Sequence, residues 1–308
     1  MRRWRSWLVV PILVLSVGGI AACGSSSNSS SSSNTSSSSS SSSGSSTTAA
    51  ANPSVEKLVP ASIKSKGTLT VAADASYAPN EFIAPDGHTV IGMDPDLMKA
   101  LAAVMGLKVK VINVPFASII PGMAAGKYDV GASSFTDTKE REKTVDFVTY
   151  LSVGEAFLTK AGGSANPQKL ADLCGLTVSV ESGTVELSDA QAQNPKCKSA
   201  GKPAIKILVF PDQNGANLAL RSGRAQVDFA DSPIIAYQVR QLGVQVRSSP
   251  TFGTAPYGIA LPKGNGMAQA VLAAMKQLMA NGTYAAILKR WQLQSAAITK
   301  PVINGATS

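Results

Sequence analysis

Ser134, Thr136 and Arg141 place two hydroxyls and a guanidinium in one short stretch, Lys127-Tyr128-Asp129-Val130-Gly131-Ala132-Ser133-Ser134-Phe135-Thr136-Asp137-Thr138-Lys139-Glu140-Arg141. The apolar run at 130–132 predicts a strand. On extended backbone, positions 134 and 136 face the same way before the guanidinium follows. Such a set holds a carboxylate: a planar fork takes carboxylate oxygens bidentately, while hydroxyls and backbone N–H groups take the remaining lone pairs. An ordinary strand followed by a solvated Lys/Glu/Arg run fits the same residues.

The elements that must position these groups read as repeated β–α units. A short helix over 55–66 leads into a strand over 67–72. Asp86-Gly87 is a hairpin turn signal, with His88, the sole histidine, exposed beyond it. A helix starts near Gly92, with Asp94 as its cap, Pro95 in its first turn, and Leu97, Leu101, Val104 and Met105 on one face. Gly106 ends it, and a strand over 107–112 completes a β–α–β unit, which requires a parallel sheet. A helix over 116–126 precedes the hydroxyl stretch, and residues 145–160 are extended. A strand over 176–180 runs through Gly183 into a helix whose first N–H groups and positive dipole end suit a carboxylate. A strand over 205–210, a helix over 214–223, a strand ending at Asp231, a helix opened by Pro233, a strand over 257–261 and helices over 267–280 and 283–291 finish the pattern.

Gly126-Lys127-Tyr128-Asp129-Val130 followed by Ser134-x-Thr136-x-Thr138-x-x-Arg141-x-x-x-x-Asp146-Phe147 resembles the central signature of the family-3 solute-binding proteins of ABC transporters, and the likeness runs from about Gly67 to Trp291. It implies a type II periplasmic-binding-protein-like fold of two α/β lobes joined by two crossovers, with a ligand cleft between them. Lobe 1 would comprise 53–160 plus 254–308, and lobe 2 would comprise 161–253. By resemblance, Ser134, Thr136 and Arg141 grip the α-amino and α-carboxylate groups of a polar amino acid. Thr184 and the amide of Val185 join on the carboxylate, and Asp231 pairs with the ammonium. Tyr77 and Phe116 are apolar walls, and Asp74 is the acid that favours cationic or amide side chains. Four of these residues have plainer readings as well: Asp74 as a turn aspartate, Phe116 as a helix-entry staple, Thr184 and Asp231 as helix caps. Asn80 stands where the family usually has an aromatic residue.

The amino terminus reads differently from the rest. Arg2, Arg3 and Arg5 precede an apolar run over 8–20 and then Ile20-Ala21-Ala22-Cys23, the pattern of a signal peptide over 1–22. Small residues followed at once by Cys resemble the bacterial lipobox, which implies a lipid on Cys23. Residues 23–52 are almost pure Ser, Asn, Thr and Gly, a flexible linker without apolar surface to bury. With Cys23 lipidated, Cys174 and Cys197 remain, a pair that outside the cytoplasm reads as a disulfide, with two free thiols as the alternative.

The formal charge of +9 becomes +6 once the three leader arginines are removed. The remaining cations are scattered, without interleaved aromatics, which argues against nucleic acid as a partner. No Cys/His spacing suggests a metal site, and no cofactor is implied. The expectation is a monomeric, lipid-anchored, extracytoplasmic receptor that hands a polar amino acid to an ABC permease, and no catalytic residue is assigned. The alternative is a secreted enzyme on the same fold, resembling cyclohexadienyl dehydratase.

Overall fold

A computed structural model describes residues 50–307, and the strands at its centre explain why the sequence alternates as it does. In chain order these are β1 (Thr68–Ala73), β2 (Ser76–Tyr77), β3 (Glu81–Ile83), β4 (Val90–Ile91), β5 (Lys108–Asn113), β6 (Val130–Gly131) and β7 (Val145–Lys160). They continue with β8 (Thr177–Glu181), β9 (Lys206–Phe210), β10 (Val227–Asp231), β11 (Val246–Ser248) and β12 (Phe252–Pro262). Nine of them form one sheet in the order β5-β1-β6-β12-β7-β10-β8-β9, with β11 against β7, while β2, β3 and β4 form a separate small sheet. The signal peptide, Cys23 and almost all of the Ser-rich linker lie outside the described residues.

The large sheet is parallel at its two ends and antiparallel in its middle. β1 runs parallel to β5 and β6, and β8 runs parallel to β9 and β10. The inner strands of each set are the most buried, all five residues of β10 among them, whereas the edge strands β5 and β9 expose alternate residues such as Lys108, Lys110 and Lys206. Between the two parallel sets run the long strands β7 and β12, antiparallel to each other. The first part of β7 (Val148, Tyr150, Leu151, Val153) packs in one apolar cluster with β1 and the helix Met93–Val104. Phe157 packs in another with β8 and β10. Where β7 passes from one to the other, its pairing with β12 shifts register between Phe252 and Ala255. Gly154 lies so close that a Cβ there would sit 2.5 Å from the Phe252 carbonyl oxygen. An irregular pair with a glycine at the contact bends more easily than a regular ladder.

Helices cover the sheet as their apolar periodicity demands. Met93–Val104 buries Leu97, Met98, Leu101, Ala102 and Val104, and Met267–Ala280 and Thr283–Trp291 pack on the same cluster through Met275, Leu278, Tyr284 and Leu288. Trp291 Nε1 donates to Asp96 (3.0 Å), and the Tyr284 hydroxyl donates to the Tyr150 carbonyl (2.8 Å), which ties the C-terminal helices to the first half. Two local expectations are corrected. The helix expected over 55–66 is two helices, Pro53–Glu56 and Ala61–Lys66, because Pro60 cannot continue the first. Asp94 is not a helix cap: Gly92 holds that position, and the Asp94 carboxylate turns inward to accept from the Ser134 N–H and the Tyr150 hydroxyl (both 2.9 Å).

Cys174 and Cys197 are joined by a disulfide that ties the segment before β8 to the helix Val185–Ser199. Closing a loop across a sequence separation of 23 constrains the unfolded chain by about 3 kcal/mol in the chain-entropy picture. Replacing both cysteines by alanine should therefore lower the urea unfolding free energy by about 2–4 kcal/mol. Equal midpoints and slopes for the two proteins in urea titrations would show the bridge to be energetically idle.

Candidate functional site

Parallel strands deliver their carboxyl ends to one edge, and the candidate residues follow those ends directly: Asp74 after β1, Ser133 and Ser134 after β6, Glu181 at the end of β8, Asp231 at the end of β10. The result is one small cavity. Its wall contains all nine residues singled out from the sequence: Asp74, Tyr77, Phe116, Ser134, Thr136, Arg141, Thr184, Val185 and Asp231. It also contains Ser133, Glu181 and Glu186, which sequence reasoning missed.

Arg141 opens a short 3-10 turn (Arg141–Lys143), and its own N–H is capped by Thr138 Oγ1 (3.2 Å). Its guanidinium donates to two carbonyls, Thr136 O at 2.7 Å and Gly183 O at 3.0 Å, and packs 5.4 Å from the centroids of both Phe116 and Phe135. Among the described residues no carboxylate forms an ion pair with it. Desolvation pulls its pKa below the ordinary arginine value, with Glu186 and Asp231 pulling the other way. Carbonyls orient the fork without cancelling its charge, so a carboxylate entering the cavity finds an oriented cation.

The strand argument for the two hydroxyls is corrected. Ser134 does not sit on extended backbone; its φ is +52°, and β6 ends at Gly131. Both side chains nevertheless reach the cavity, because the turn is held from outside. Asp94 accepts from the Ser134 N–H, Asn80 Nδ2 donates to Ser134 Oγ (2.8 Å), and Glu81 accepts from Ser133 Oγ (3.2 Å) and Ser134 Oγ (3.3 Å). A left-handed serine is costly, and this ring of fully buried polar groups supplies its compensation. Asn80, where an aromatic residue is usual, thus supports the wall rather than lining the cavity.

The plainer alternatives for four residues resolve individually. Thr184 is a cap and a wall residue at once, because its hydroxyl accepts from the Leu187 N–H (3.3 Å) at the start of Val185–Ser199. Asp74 likewise makes a turn, accepting from Ser76 N–H (3.1 Å) and Oγ (2.6 Å), and also accepts from the Phe116 N–H (2.9 Å). Phe116 stacks on Phe135 at 4.5 Å between centroids. Asp231 occupies the cap position before Ser232–Leu242 without capping it. Its carboxylate instead accepts from the Tyr77 hydroxyl (2.8 Å), which itself accepts from the Asp231 N–H (3.2 Å).

Four carboxyl groups and one guanidinium therefore share the cavity wall. Desolvation raises the pKa of Asp231 to about 6 and that of Asp74 above its ordinary value. Glu181 and Glu186 are pushed well up, by burial first and then by Asp74 and Asp231 respectively.

A family model described as bacterial extracellular solute-binding proteins, family 3, matches residues 69–294. The chain belongs to that family. The arginine-binding protein ArgT of Corynebacterium glutamicum is 33% identical over 254 residues, covering 82% of this chain and 83% of its own. Among solved structures, an ancestral arginine-binding protein bound to arginine superposes with a TM-score of 0.67 at 32% identity, covering 73% of this chain and 98% of its own. An ancestral amino acid-binding protein described as a precursor of cyclohexadienyl dehydratase gives 0.67 at 33% identity, covering 75% and 97%. The fold of this family member is the two-lobed type II arrangement, with β7 and β12 as the crossing strands.

Buried carboxyls give the empty protein a definite pH response. Besides Asp231, burial raises Asp94 to about 6, Asp137 and Asp228 to about 7, and Glu155 to about 9. Each such group favours folding fully below its unfolded pKa, and that contribution is lost as pH rises through the folded value. The ligand-free protein should therefore lose stability from about pH 5 to about pH 8, read as a falling urea midpoint. Asp228→Asn should flatten part of the fall. A midpoint that climbs with pH over this range would contradict the burial of these groups in protonated form.

Proposed function

We propose that this family member captures a polar amino acid outside the cytoplasm and presents it to an ABC permease. The observation that carries the reading is the oriented, carboxylate-free guanidinium of Arg141 facing the buried carboxylate of Asp231 across one small cavity. In this reading Arg141, Ser134, Thr136, Thr184 and the Val185 amide hold the ligand carboxylate, and Asp231 holds the ammonium. Tyr77 and Phe116 flank the ligand, and Asp74 receives a cationic side chain, arginine being the first candidate because relatives are named for it.

The lobes divide near 53–160 with 254–308, and 161–253, the first crossing lying a few residues earlier, near Gly154, since Phe157 already packs with β8 and β10; they close on the ligand because it touches both halves. Asp231 meets Tyr77, and Arg141 meets Gly183, across the two halves, contacts that opening would break. A lipid on Cys23 and the Ser-rich linker would tether a monomer to the membrane surface, consistent with the lack, among the described residues, of a helix long and apolar enough to cross it. The protein works without chemistry on its ligand. The likeness to a dehydratase precursor supports this, since that protein is itself described as amino acid-binding.

Calorimetric titration of the leader-free protein with the common amino acids tests the reading. Arginine should bind, and Arg141→Ala should weaken binding by at least about 100-fold. Ammonium capture needs Asp231 ionised, and its pKa without ligand is about 6. Affinity should hold above that pH and fall below it by up to about tenfold per unit. Undiminished binding by the Arg141 variant, or tighter binding at pH 5 than at pH 7, would refute the clamp.

A further inference from the structure

Once Arg141 takes the ligand carboxylate and Asp231 the ammonium, the wall still holds three carboxyl groups, Asp74, Glu181 and Glu186. Glu186 belongs to the zwitterion end, since Asp231 and Arg141 both act on it. Asp74 and Glu181 remain, and they approach each other from opposite halves of the molecule, one following β1, the other ending β8. They are not equivalent. Both oxygens of Asp74 accept from the protein, from Ser76 and from the Phe116 N–H. Glu181 is only 2% exposed; its side chain lies within hydrogen-bonding reach of the Asp74 carboxyl, and its Oε1 has no partner among the described residues. A buried acceptor lining a cavity with nothing to accept is expensive to leave so.

We propose that Glu181 is a specificity-determining residue, the second jaw of the side-chain subsite, which closes opposite Asp74 onto a guanidinium. This inference rests on the amino-acid reading above. Asp74 is the fixed jaw, oriented by the amides around it, and Glu181 swings in with the other lobe. A guanidinium offers five N–H donors in one plane and can face a carboxylate on two edges at once. A lysine ammonium is a point charge that cannot do so, and an uncharged amide or ureido group leaves one jaw without a cation.

The groups facing Glu181 are Asp74, Asp212 and Asp231, all acids. With the cavity empty, burial and these neighbours keep its proton on. A guanidinium between the jaws makes that proton unnecessary, and it leaves to solvent: the carboxyl O–H breaks, and the carboxylate accepts from the ligand instead. The cationic side chain thereby becomes a condition for full closure rather than merely a contact.

The probes are arginine and citrulline, which share a shape and differ in the charge of the terminal group, with lysine as a third ligand. Wild-type protein should bind arginine about 10- to 100-fold more tightly than citrulline. Titrations in buffers of different ionisation enthalpy should show proton release with arginine that exceeds the release with citrulline. In Glu181→Gln the arginine-to-citrulline ratio should collapse by about 10-fold or more and the excess proton release should vanish. An unchanged ratio in that variant, or equal wild-type affinity for the two ligands, overturns the jaw while leaving the amino-acid reading intact. Failure of wild-type protein to bind any of the amino acids overturns that reading, and this inference with it. The wild-type proton release alone decides the matter if the variant does not fold.

Discussion

The structure depends on a charge imbalance that only a bound molecule can relieve. Burying an ionised group costs several kcal/mol unless something answers its charge. This cavity answers Arg141 with carbonyls and aromatic faces, and it sets carboxyls against carboxyls. Burial forces the acids toward their protonated forms. The empty cavity is thus tolerable but poor, and in the proposed clamp the carboxylate and ammonium of an amino acid would pair with Arg141 and Asp231. If, as proposed, the two lobes gain this only when closed, closure would report occupancy.

The rest of the fold serves to keep those charges aimed. Parallel strands place their carboxyl ends on one edge, and most wall residues follow a strand within a few positions, whereas Arg141 sits in the turn just before β7. Long, irregularly paired strands, β7 and β12, join the two sets. The acids of the signature divide along the same line. Asp129 accepts from Lys66 Nζ and from Thr70 N–H and Oγ1, locking β1 to β6. Asp146 accepts from Asn304 and Lys263 and fastens the C-terminal segment. These two are architecture, and Arg141 between them is the group they hold in register.

Most of the wall was legible in the sequence because it sits at punctuation: a hydroxyl run after a strand, a Gly-Thr step into a helix, an acid before a Ser-Pro helix start. What stayed hidden has a physical cause in each case. Glu181 and Glu186 flank the Gly183-Thr184 turn and look like solvated charges in a polar stretch, and only the packing of that turn against Ala117 turns them inward. Ser134 was reached by the wrong route, since alternation assumes an extended backbone and nothing local announces a positive φ; its cause is tertiary, in Asp94, Asn80 and Glu81. Asp94 was misread for the complementary reason: an acid at a helix start is ordinarily a cap, and here the tertiary demand of Ser134 and Tyr150 outweighs the local one.

That outcome bears on how specificity is built on a shared scaffold. Residues that grip the parts common to all amino acids lie at strand ends and helix starts, where backbone geometry dictates them and substitution is costly. A residue that reads the side chain is free of such duties. Asp74 combines both roles, making a turn and facing the cavity, so changing it risks the loop that carries Phe116. The backbone of Glu181 pairs with Phe210 and accepts from the Thr184 hydroxyl, while its side chain lines the cavity beside Asp74. In the proposed reading, selectivity could therefore change at Glu181 while Arg141 and Asp231 still hold the groups common to all amino acids.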